Sequence, residues 1–203
     1  MGLYDRYVLP YLIEVGCGVE ALAPMRRETA RELQGAVLEI GFGSGMNLPF
    51  LPSAVTHLLA VDPSSRGREL ARKRLAQAPC PVEFVGLDAQ SIALPDASAD
   101  TALCTFTLCT IPEPLTALRE VRRILKPGGT LHLLEHGRAP DPGVQRWQDR
   151  LNGVQQTLFG GCNLNRDIAG LVRAAGFRFE PHEAGYMSGT PRTHGYVTRA
   201  LAS

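Results

Sequence analysis

Short apolar runs alternate along the chain with amphipathic stretches. Five of these runs are four to six residues long and lie between glycine, proline or aspartate residues: 36–40, 58–61, 82–85, 101–106 and 130–134. Runs of this length and composition are typical of strands that are buried on both faces of a parallel sheet. The pattern therefore predicts five central strands.

The stretches between the runs repeat their apolar residues at helical spacing. Residues 65–78 and 113–125 carry such a stripe, and in the second the residues Leu115, Leu118 and Val121 are expected to pack in the core. A strand followed by a helix, repeated, builds right-handed βαβ units. The pattern thus predicts an α/β fold whose parallel sheet is covered by helices on both faces.

At the two ends of the chain, short apolar runs and amphipathic stretches do not alternate in this way. Helices are predicted at residues 4–15, 23–33, 141–159 and 165–175, the last with Asn165 as its N-cap and Gly176 at its end. Residues 177–179 and 196–200 are predicted as two further strands. Antiparallel pairing of these strands at one edge of the sheet would bring the total to seven.

Composition narrows the class of protein and its partners. The chain has 203 residues, of which 44% are hydrophobic and 20% charged, as expected for one globular domain. With 21 basic and 20 acidic residues, the net charge of +1 provides no field that would attract nucleic acid or an anionic membrane. We therefore expect a small-molecule partner and no nucleic acid. The composition says nothing about the oligomeric state.

The cysteines and the N-terminal segment bear on localisation. The five cysteines form no C-x-x-C pair and are odd in number, which favours a reducing compartment and gives no reason to predict a metal site. The first fifteen residues contain Asp5 and Glu14 and do not resemble a signal peptide. Since no apolar run reaches 18 residues, we expect a cytoplasmic protein without stable membrane insertion.

A glycine-rich loop follows the first predicted strand. The segment VLEIGFGSGMN places Gly41, Gly43 and Gly45 directly after a buried run, where glycine lets the main chain approach a ligand closely. The dinucleotide pattern fails at Met46, and no Gly-Lys-Ser/Thr follows. The loop therefore predicts a ligand at the main chain without a phosphate cradle.

Three acidic residues accompany this loop at the carboxyl ends of predicted strands. Asp62 can accept the two hydroxyls of a ribose, and Asp88 can accept the amino group of adenine. Together with Glu39 they predict a site for a cationic adenosine ligand. Taken one at a time, the same residues could also be a helix cap (Glu39), an Asx-turn before Pro63 (Asp62) and a solvated loop acid (Asp88).

Four segments in order resemble the class I methyltransferases, which bind S-adenosylmethionine: VLEIGFGSG, VDPS, LDAQSIALPDASADTALCTFTLCTI and LREVRRILKPGGTL, within residues 37–134. The resemblance implies an S-adenosylmethionine-dependent methyltransferase in which residues 104–106 lie beside the sulfonium and residues 126–129 form a turn before the fifth strand. Glu39 and the glycines would shape the methionine pocket, and Ala89 would join Asp88 at the adenine. The expected cofactor-binding set is Glu39, Gly41, Gly43, Gly45, Asn47, Asp62, Pro63, Asp88, Ala89 and Thr105.

The resemblance also implies how the single domain is organised. It predicts a Rossmann-like, seven-stranded, mostly parallel sheet with helices on both faces, plus an N-terminal helical lid. Residues 1–34 would form the lid, residues 35–136 the cofactor-binding core, and residues 137–203 the acceptor-side helices and edge strands.

Three further segments indicate the acceptor: CTFTLCTIPEP, LLEHGRAPDPGVQRWQDRLN and GGCNLNRDIAGLVRAAGF. They resemble bacterial phospholipid and ubiquinone-type methyltransferases and also the thiol S-methyltransferases of animals. The second resemblance makes a small or hydrophobic thiol the first choice, with a phospholipid amine, quinol or small-molecule hydroxyl as the alternative. The animal proteins carry an N-terminal membrane anchor, whereas the corresponding segment here is short and charged, so we expect a soluble relative. A non-catalytic protein that binds an adenosyl ligand is a further hypothesis.

The fifth strand leads into His136, the candidate catalytic residue. His136 could accept the proton of the acceptor, since an unperturbed imidazole has a pKa of about 6.5, or it could order a loop by hydrogen bonding. The expected substrate-binding set is Tyr7, Tyr11, Thr107, Cys109, Trp147 and Arg166. Of these, Cys109 and Trp147 could equally be packing residues, and Arg166 could build a loop or stabilise a thiolate. The tyrosines share one helix face, which could close over the cofactor or pack on the sheet.

Overall fold

The computed structural model of the chain describes residues 4, 8–18 and 20–203. Its centre is a seven-stranded sheet in the order β3-β2-β1-β4-β5-β7-β6. The strands are β1 (Gly35–Ile40), β2 (Val55–Val61), β3 (Val82–Gly86), β4 (Ala99–Thr105), β5 (Leu125–His136), β6 (Phe179–Tyr186) and β7 (Tyr196–Ala202). Strands β1 to β5 pair in parallel, and β7 pairs antiparallel with both β5 and β6. The predicted mostly parallel, seven-stranded sheet is thus confirmed.

The helices pack on both faces of this sheet. They are α1 (Leu9–Cys17), α2 (Ala23–Ala30), α3 (Ser65–Leu70), α4 (Arg72–Leu75), α5 (Pro114–Ile124), α6 (Pro142–Leu158) and α7 (Ile168–Ala174), with short 3-10 turns at Glu20–Leu22 and Leu48–Phe50. None of the helices in the described part of the chain is long and apolar enough to cross a membrane.

Strands β1 to β4 each contribute to two hydrophobic cores, because neighbouring side chains of a strand point to opposite faces. In β1, Val37 packs in the core beneath α2, whereas Leu38 packs in the core beneath α5 and α7. In α5 the expected residues Leu118 and Val121 are fully buried, and Leu115 packs against them while partly buried. Burial on both faces explains why these strands are almost uniformly apolar.

The direction in which the chain winds reverses between β1 and β4. The chain passes from β1 to β2 and β3 on one side, and then returns to β4 and β5 on the other. In parallel α/β sheets, ligands bind at the carboxyl ends of the strands at such a reversal. The glycine loop after β1 and Thr105 at the end of β4 both lie there.

Two predicted strands differ more in extent from the observed ones than the others do. Strand β5 begins at Leu125, so the expected turn at residues 126–129 forms part of the strand. Gly129 permits this, because a Cβ there would lie 2.8 Å from the main-chain oxygen of Asp100. Strand β6 begins at Phe179 rather than at 177, because Phe177 is buried against the core before pairing with β7 begins.

The predicted helix 23–33 ends at Ala30, and two further predicted helices differ in their division or their N-cap. The predicted helix 65–78 is divided at Ala71 into α3 and α4. The predicted N-cap Asn165 is wrong: α7 is capped by Asp167, whose Oδ1 accepts a hydrogen bond of 2.9 Å from the Gly170 N–H. Asn165 instead donates to Asp149 on α6 at 2.8 Å.

Candidate functional site

A cavity of about 640 Å³ lies at the carboxyl ends of the central strands. Residues predicted to bind a cofactor form much of its wall: Gly41, Gly43, Asn47, Asp62, Pro63, Asp88, Ala89 and Thr105. Thr107, predicted to bind the acceptor, also lines the cavity. Glu39 and Gly45 belong to the same predicted set but do not line it, and Glu39 acts through Asn47, as described below.

The glycine loop leaves its main chain open to the cavity. Gly41 has a φ of +75°, and a Cβ there would lie 1.9 Å from the Thr107 hydroxyl oxygen. At Gly43, with a φ of +55°, a Cβ would meet only the Gly41 carbonyl oxygen, at 4.0 Å. Helix α3 packs so closely behind the loop that a Cβ at Gly67 would lie 2.8 Å from the Gly43 oxygen. Larger residues would therefore displace Thr107 or fill the cavity.

Asp62 is held in a fixed orientation by two main-chain donors. The Gly43 N–H donates to Oδ2 and the Ser64 N–H donates to Oδ1, both at 2.7 Å. Burial raises the pKa of Asp62, and the two hydrogen bonds act against that rise. A carboxylate oriented in this way keeps free lone pairs on both oxygens, which can accept the two hydroxyls of a ribose.

A buried polar network that the sequence analysis missed lies beside the glycine loop. Arg26 of α2 donates to Asn47 Oδ1 at 2.7 Å and to Thr105 Oγ1 at 3.0 Å. Asn47 Nδ2 donates in turn to Glu39 Oε1 at 2.6 Å. Burial raises the pKa of Glu39 to about 7, and its Oε2 has no hydrogen-bond partner among the described residues. Arg26 itself lines the cavity and is the cation nearest to this loop network.

The sequence context gives no direct signal for Arg26. The neighbouring residue Arg27 is of the same type but is exposed and stacks over Phe50. Arg26 differs from Arg27 by its contacts in the folded chain, among them those with Asn47 and Thr105, which lie 21 and 79 residues away.

The turn after β4 is organised by Glu135 of β5. Glu135 is fully buried, and its Oε1 accepts hydrogen bonds from the Thr107 and Leu108 N–H groups at 2.8 and 3.2 Å. Burial raises the pKa of this carboxyl. The bonds hold Phe106 at a φ of +53°, a strained conformation for an aromatic residue. Phe106 and Thr107 thereby reach the cavity wall.

His136 and Cys109 do not line the cavity themselves. The His136 Nε2 lies 3.2 Å from the Cys162 Sγ, and its ring stacks on Phe106 with centroids 6.4 Å apart. The Cys109 Sγ lies 3.5 Å from the Thr110 hydroxyl. Because Phe106 and Thr110 do line the cavity, both residues belong to a layer directly behind its wall. The sequence predicts no metal site, yet the ligand atoms of Cys109, His136 and Cys162 lie within 4.8 Å of one another.

Of the four remaining predicted acceptor residues, the three that the structure describes lie outside the cavity wall. The buried face of α6 carries Gln148 and Gln155, so Trp147 beside it is 55% exposed and is no cavity wall. Arg166 donates to the main-chain oxygens of Leu108 and Ile111 and so clamps the turn after β4. Tyr11 is exposed and accepts a hydrogen bond from Arg66. Tyr7 lies outside the described residues.

Helix α1 covers the outer side of the cavity, as expected of a lid. Its residues Leu9, Pro10 and Ile13 line the cavity, and Glu14 pairs with Arg74 at 2.8 Å. Leu9 fits against Gly160, where a Cβ would lie 2.4 Å from the leucine Cδ2. The outer wall formed in this way is mostly apolar and, among the described residues, carries no charge: Leu9, Ile13, Leu87, Ile111 and Phe159 line it, with the uncharged Gln156 and Thr157.

Comparisons with known proteins agree with this geometry. The family described as "Methyltransferase domain" matches residues 38–133. Thiol S-methyltransferase TMT1A of Homo sapiens is 31% identical over 172 residues, which are 78% of this chain and 69% of that protein. Demethylmenaquinone methyltransferase of Clavibacter sepedonicus is 35% identical over 113 residues, which are 56% of this chain and 46% of that protein.

A solved structure from Thermotoga maritima extends the similarity to nearly the whole chain. It is described as an S-adenosylmethionine-dependent methyltransferase and possible histamine N-methyltransferase. The two structures superpose with a TM-score of 0.70 and 25% sequence identity, over 98% of this chain and 97% of the other.

Proposed function

The chain belongs to the S-adenosylmethionine-dependent methyltransferases of the "Methyltransferase domain" family, and from this premise we propose that it methylates the sulfur of a small or hydrophobic thiol. The alternative is a phospholipid amine, a quinol or a small-molecule hydroxyl. Since the chain spans 69% of one relative and 46% of another, the acceptor has to be argued from its own cavity.

The cavity offers a partner for each part of S-adenosylmethionine. Asp62 would accept the ribose hydroxyls, and Asp88 with Ala89 would lie along the adenine. Arg26 would pair with the carboxylate of the methionine part, next to the open main chain of Gly41 and Gly43. The bound donor supplies a methyl group on a sulfonium, which carries its own leaving group. The protein's main tasks are then to align the acceptor and exclude water.

The observation that carries the thiol proposal is the absence of charge at the outer end of the cavity. Among the described residues that line the cavity, the charged ones are Arg26, Asp62 and Asp88, all assigned above to the methyl donor. Leu9, Ile13 and Phe159 give the outer wall an apolar surface, and the polar residues Gln156 and Thr157 beside them are uncharged. A neutral, apolar acceptor fits this wall, whereas the cationic amine of a lipid headgroup has no counter-charge there.

A thiol also suits a site that has no strong general base among the described residues at the acceptor end of the cavity. A free thiol has a pKa of about 8.5, so a few per cent is already the nucleophilic thiolate at neutral pH. The assignment of His136 as the base stays a prediction, and its Nε2 would have to receive the proton from behind the Phe106 wall. A pH profile of turnover for His136→Gln tests that role.

The experiment for the acceptor measures two products from one reaction. The purified protein is incubated with S-adenosylmethionine and one acceptor at a time: sulfide, small and aromatic thiols, a naphthoquinol, or phosphatidylethanolamine vesicles. Mass spectrometry then quantifies S-adenosylhomocysteine and the methylated acceptor. We expect methyl thioethers, with kcat/KM rising with the apolar size of the thiol.

The same panel defines the result that would overturn the proposal. Turnover of the quinol or the lipid without turnover of any thiol would select the alternative acceptor. Binding of S-adenosylmethionine without transfer to any member of the panel would favour the non-catalytic hypothesis. A matched variant, Asp62→Ala, should abolish transfer in every arm because it removes the ribose contacts.

A further inference from the structure

Three side chains with metal-binding atoms meet behind the acceptor end of the cavity. Cys109 comes from the turn after β4, His136 from the end of β5, and Cys162 from the loop after α6. Their ligand atoms all lie within 4.8 Å of one another, and the Cys162 Sγ is 3.2 Å from the His136 Nε2. All five cysteines of the chain are free thiols in this structure, so both sulfurs are available.

The main chain around these residues is fixed independently of any metal. The side-chain amide and the main-chain N–H of Asn163 both donate to the Cys109 carbonyl oxygen at 2.9 Å. This joins the two cysteine-bearing segments directly, since Asn163 follows Cys162 in the chain. Arg166 and Glu135 hold the turn that carries Cys109 from its other sides. The three ligands are therefore preorganised, which lowers the cost of binding an ion.

The donor set selects the kind of ion. Two sulfurs and one imidazole suit a borderline-soft ion and are poor ligands for Mg²⁺ or Ca²⁺. Zinc binds sulfur at about 2.3 Å and imidazole nitrogen at about 2.0 Å, so two sulfur ligands of one ion lie no more than about 4.6 Å apart. The observed cluster needs only small side-chain adjustments to reach this spacing. Two thiolates also neutralise the double charge of the ion at this buried place.

We infer that Cys109, His136 and Cys162 form a zinc site whose fourth position is open to the acceptor thiol. The described residues provide three ligands in the cluster and no fourth, as in catalytic rather than structural zinc sites. Thr110, Phe106 and Gly161, each next to a ligand in sequence or in contact with one, line the cavity wall, so the cluster lies directly behind that wall and an acceptor thiol would reach the open position between these residues. The assignment of the fourth ligand rests on the proposed thiol acceptor, whereas the three-ligand site does not.

This site would activate the acceptor in place of His136 as a base, because a His136 Nε2 bound to zinc has no lone pair left to accept a proton. The thiol R–SH binds the ion as a thiolate and releases its proton to solvent. The thiolate sulfur then attacks the methyl carbon, and the new S–C bond forms as the bond from methyl to sulfonium breaks. The bonding electron pair stays on the former sulfonium sulfur, which gives a methyl thioether and neutral S-adenosylhomocysteine. The neutral thioether is a weak ligand and leaves.

Metal content provides the first test, and it is independent of activity. The protein is purified under reducing, anaerobic conditions, dialysed against Zn²⁺ and then against buffer, and analysed by inductively coupled plasma mass spectrometry. We expect about one zinc per chain, and at least a 100-fold weaker affinity for Cys109→Ser, Cys162→Ser and His136→Gln, since even losing an outer hydrogen-bond partner of a ligand costs about 10- to 100-fold. Cys80→Ser, which changes a cysteine outside the cluster, should keep full zinc content.

Several outcomes overturn the site. The site is wrong if wild-type protein holds no more zinc than the Cys109→Ser/Cys162→Ser double variant while circular dichroism shows both to be folded. If Cys80→Ser loses as much zinc as the variants of the three ligands do, the ion is not bound specifically by this cluster. A Cys109–Cys162 disulfide in the anaerobic protein, detected by mass spectrometry of non-reduced peptides, would replace the metal site by a redox pair.

The fourth ligand is tested with Co²⁺ in place of zinc. Addition of an acceptor thiol, without S-adenosylmethionine, should shift the visible d–d bands and add thiolate-to-cobalt charge-transfer intensity. A spectrum unchanged at saturating thiol would refute the open position while leaving the three-ligand site intact. If zinc binds as expected but no thiol is methylated, the proposed acceptor fails and the metal site stands, so the two failures are distinguishable.

Discussion

Asp62 holds the glycine loop and, under the proposed function, also the ligand. Its two oxygens already accept the Gly43 and Ser64 N–H groups, and they keep lone pairs for a ribose. We expect Asp62→Asn to weaken S-adenosylhomocysteine binding about 10- to 100-fold, because a hydrogen bond to a charged group contributes roughly 1.5 to 3 kcal/mol. Isothermal titration calorimetry measures this. Asp96→Asn, at an exposed residue paired with Arg123, is the matched control and should bind normally.

Glu39 makes the free protein less stable as the pH rises. Burial raises the pKa of Glu39 from 4.5 to about 7 in the folded state. Between these values the folded protein binds more protons than the unfolded protein, so the free energy of unfolding falls with rising pH, by up to about 3 kcal/mol. Above about pH 7 this contribution no longer changes. In Glu39→Gln the free energy of unfolding should therefore fall less between these pH values than it does in the wild type.

Urea unfolding between pH 5 and 8, without ligand, checks this prediction. Burial also raises the pKa values of Asp62 and Glu135, so the variant should retain part of the decline. Glu28→Gln changes an exposed residue of α2 and should follow the wild-type profile. Parallel profiles for Glu39→Gln and wild type would show that Glu39 is ionised in the folded protein.

Glu135 controls the shape of the turn that carries Phe106 and Thr107. Glu135→Ala would leave the Thr107 and Leu108 N–H groups without their acceptor. The expected loss of stability is about 2 to 6 kcal/mol, since each unpartnered buried donor costs about 1 to 3 kcal/mol. Glu135→Gln keeps the accepting oxygen and should stay near wild type in thermal unfolding and in turnover. Equal losses in both variants would show that the carboxylate charge, and not the acceptor, is required.

At the scale of elements, Gly160 determines how closely α1 can approach the core. It has a φ of +59°, and a Cβ there would lie 2.4 Å from Leu9 Cδ2. We expect Gly160→Ala to displace α1 and raise the acceptor KM severalfold, with a stability loss of about 1 to 2 kcal/mol from the left-handed conformation. Steady-state kinetics with a thiol acceptor measures the change.

Gly153→Ala in α6 is the control for that change. A Cβ at Gly153 meets nothing within 4 Å, and alanine should stabilise the helix interior by about 0.5 to 1 kcal/mol. An unchanged acceptor KM in Gly160→Ala would mean that α1 does not bound the acceptor.

The sequence predicts the elements well where local pattern decides them. The run at 36–40 corresponds to β1 (Gly35–Ile40). A strand that is buried on both faces has to be apolar, so a short apolar run predicts it. Asp62 could be placed at the cavity edge because its position directly after a predicted strand is a local signal. Arg26 could not, since its role depends on Asn47 and Thr105, which only the folded chain brings together. The cluster of Cys109, His136 and Cys162 could not be predicted either, because only the folded chain brings these residues together.

At the scale of the whole molecule, the sheet and α1 differ in how firmly they are held. In β1 every residue except Gly35 is buried, whereas none of the nine described residues of α1 is buried. Local opening free energy follows such differences in buried contacts. Helix α1 should therefore exchange its amide hydrogens by local opening, and β1 only by global unfolding.

Ligand binding should then act on the two elements differently. S-adenosylhomocysteine at 100 times its Kd stabilises the fold globally by about 2.7 kcal/mol, which slows exchange in β1 under conditions where global unfolding dominates. In α1, contact of Leu9, Pro10 and Ile13 with an occupied cavity should slow exchange at least tenfold even under native conditions. Helix α7 contributes no residue to the cavity wall. Its hydrogen exchange should therefore slow only as far as the global stabilisation of the fold requires. If hydrogen exchange followed by mass spectrometry shows α1 responding no more than α7 while calorimetry shows binding, α1 covers the cavity without closing on its contents.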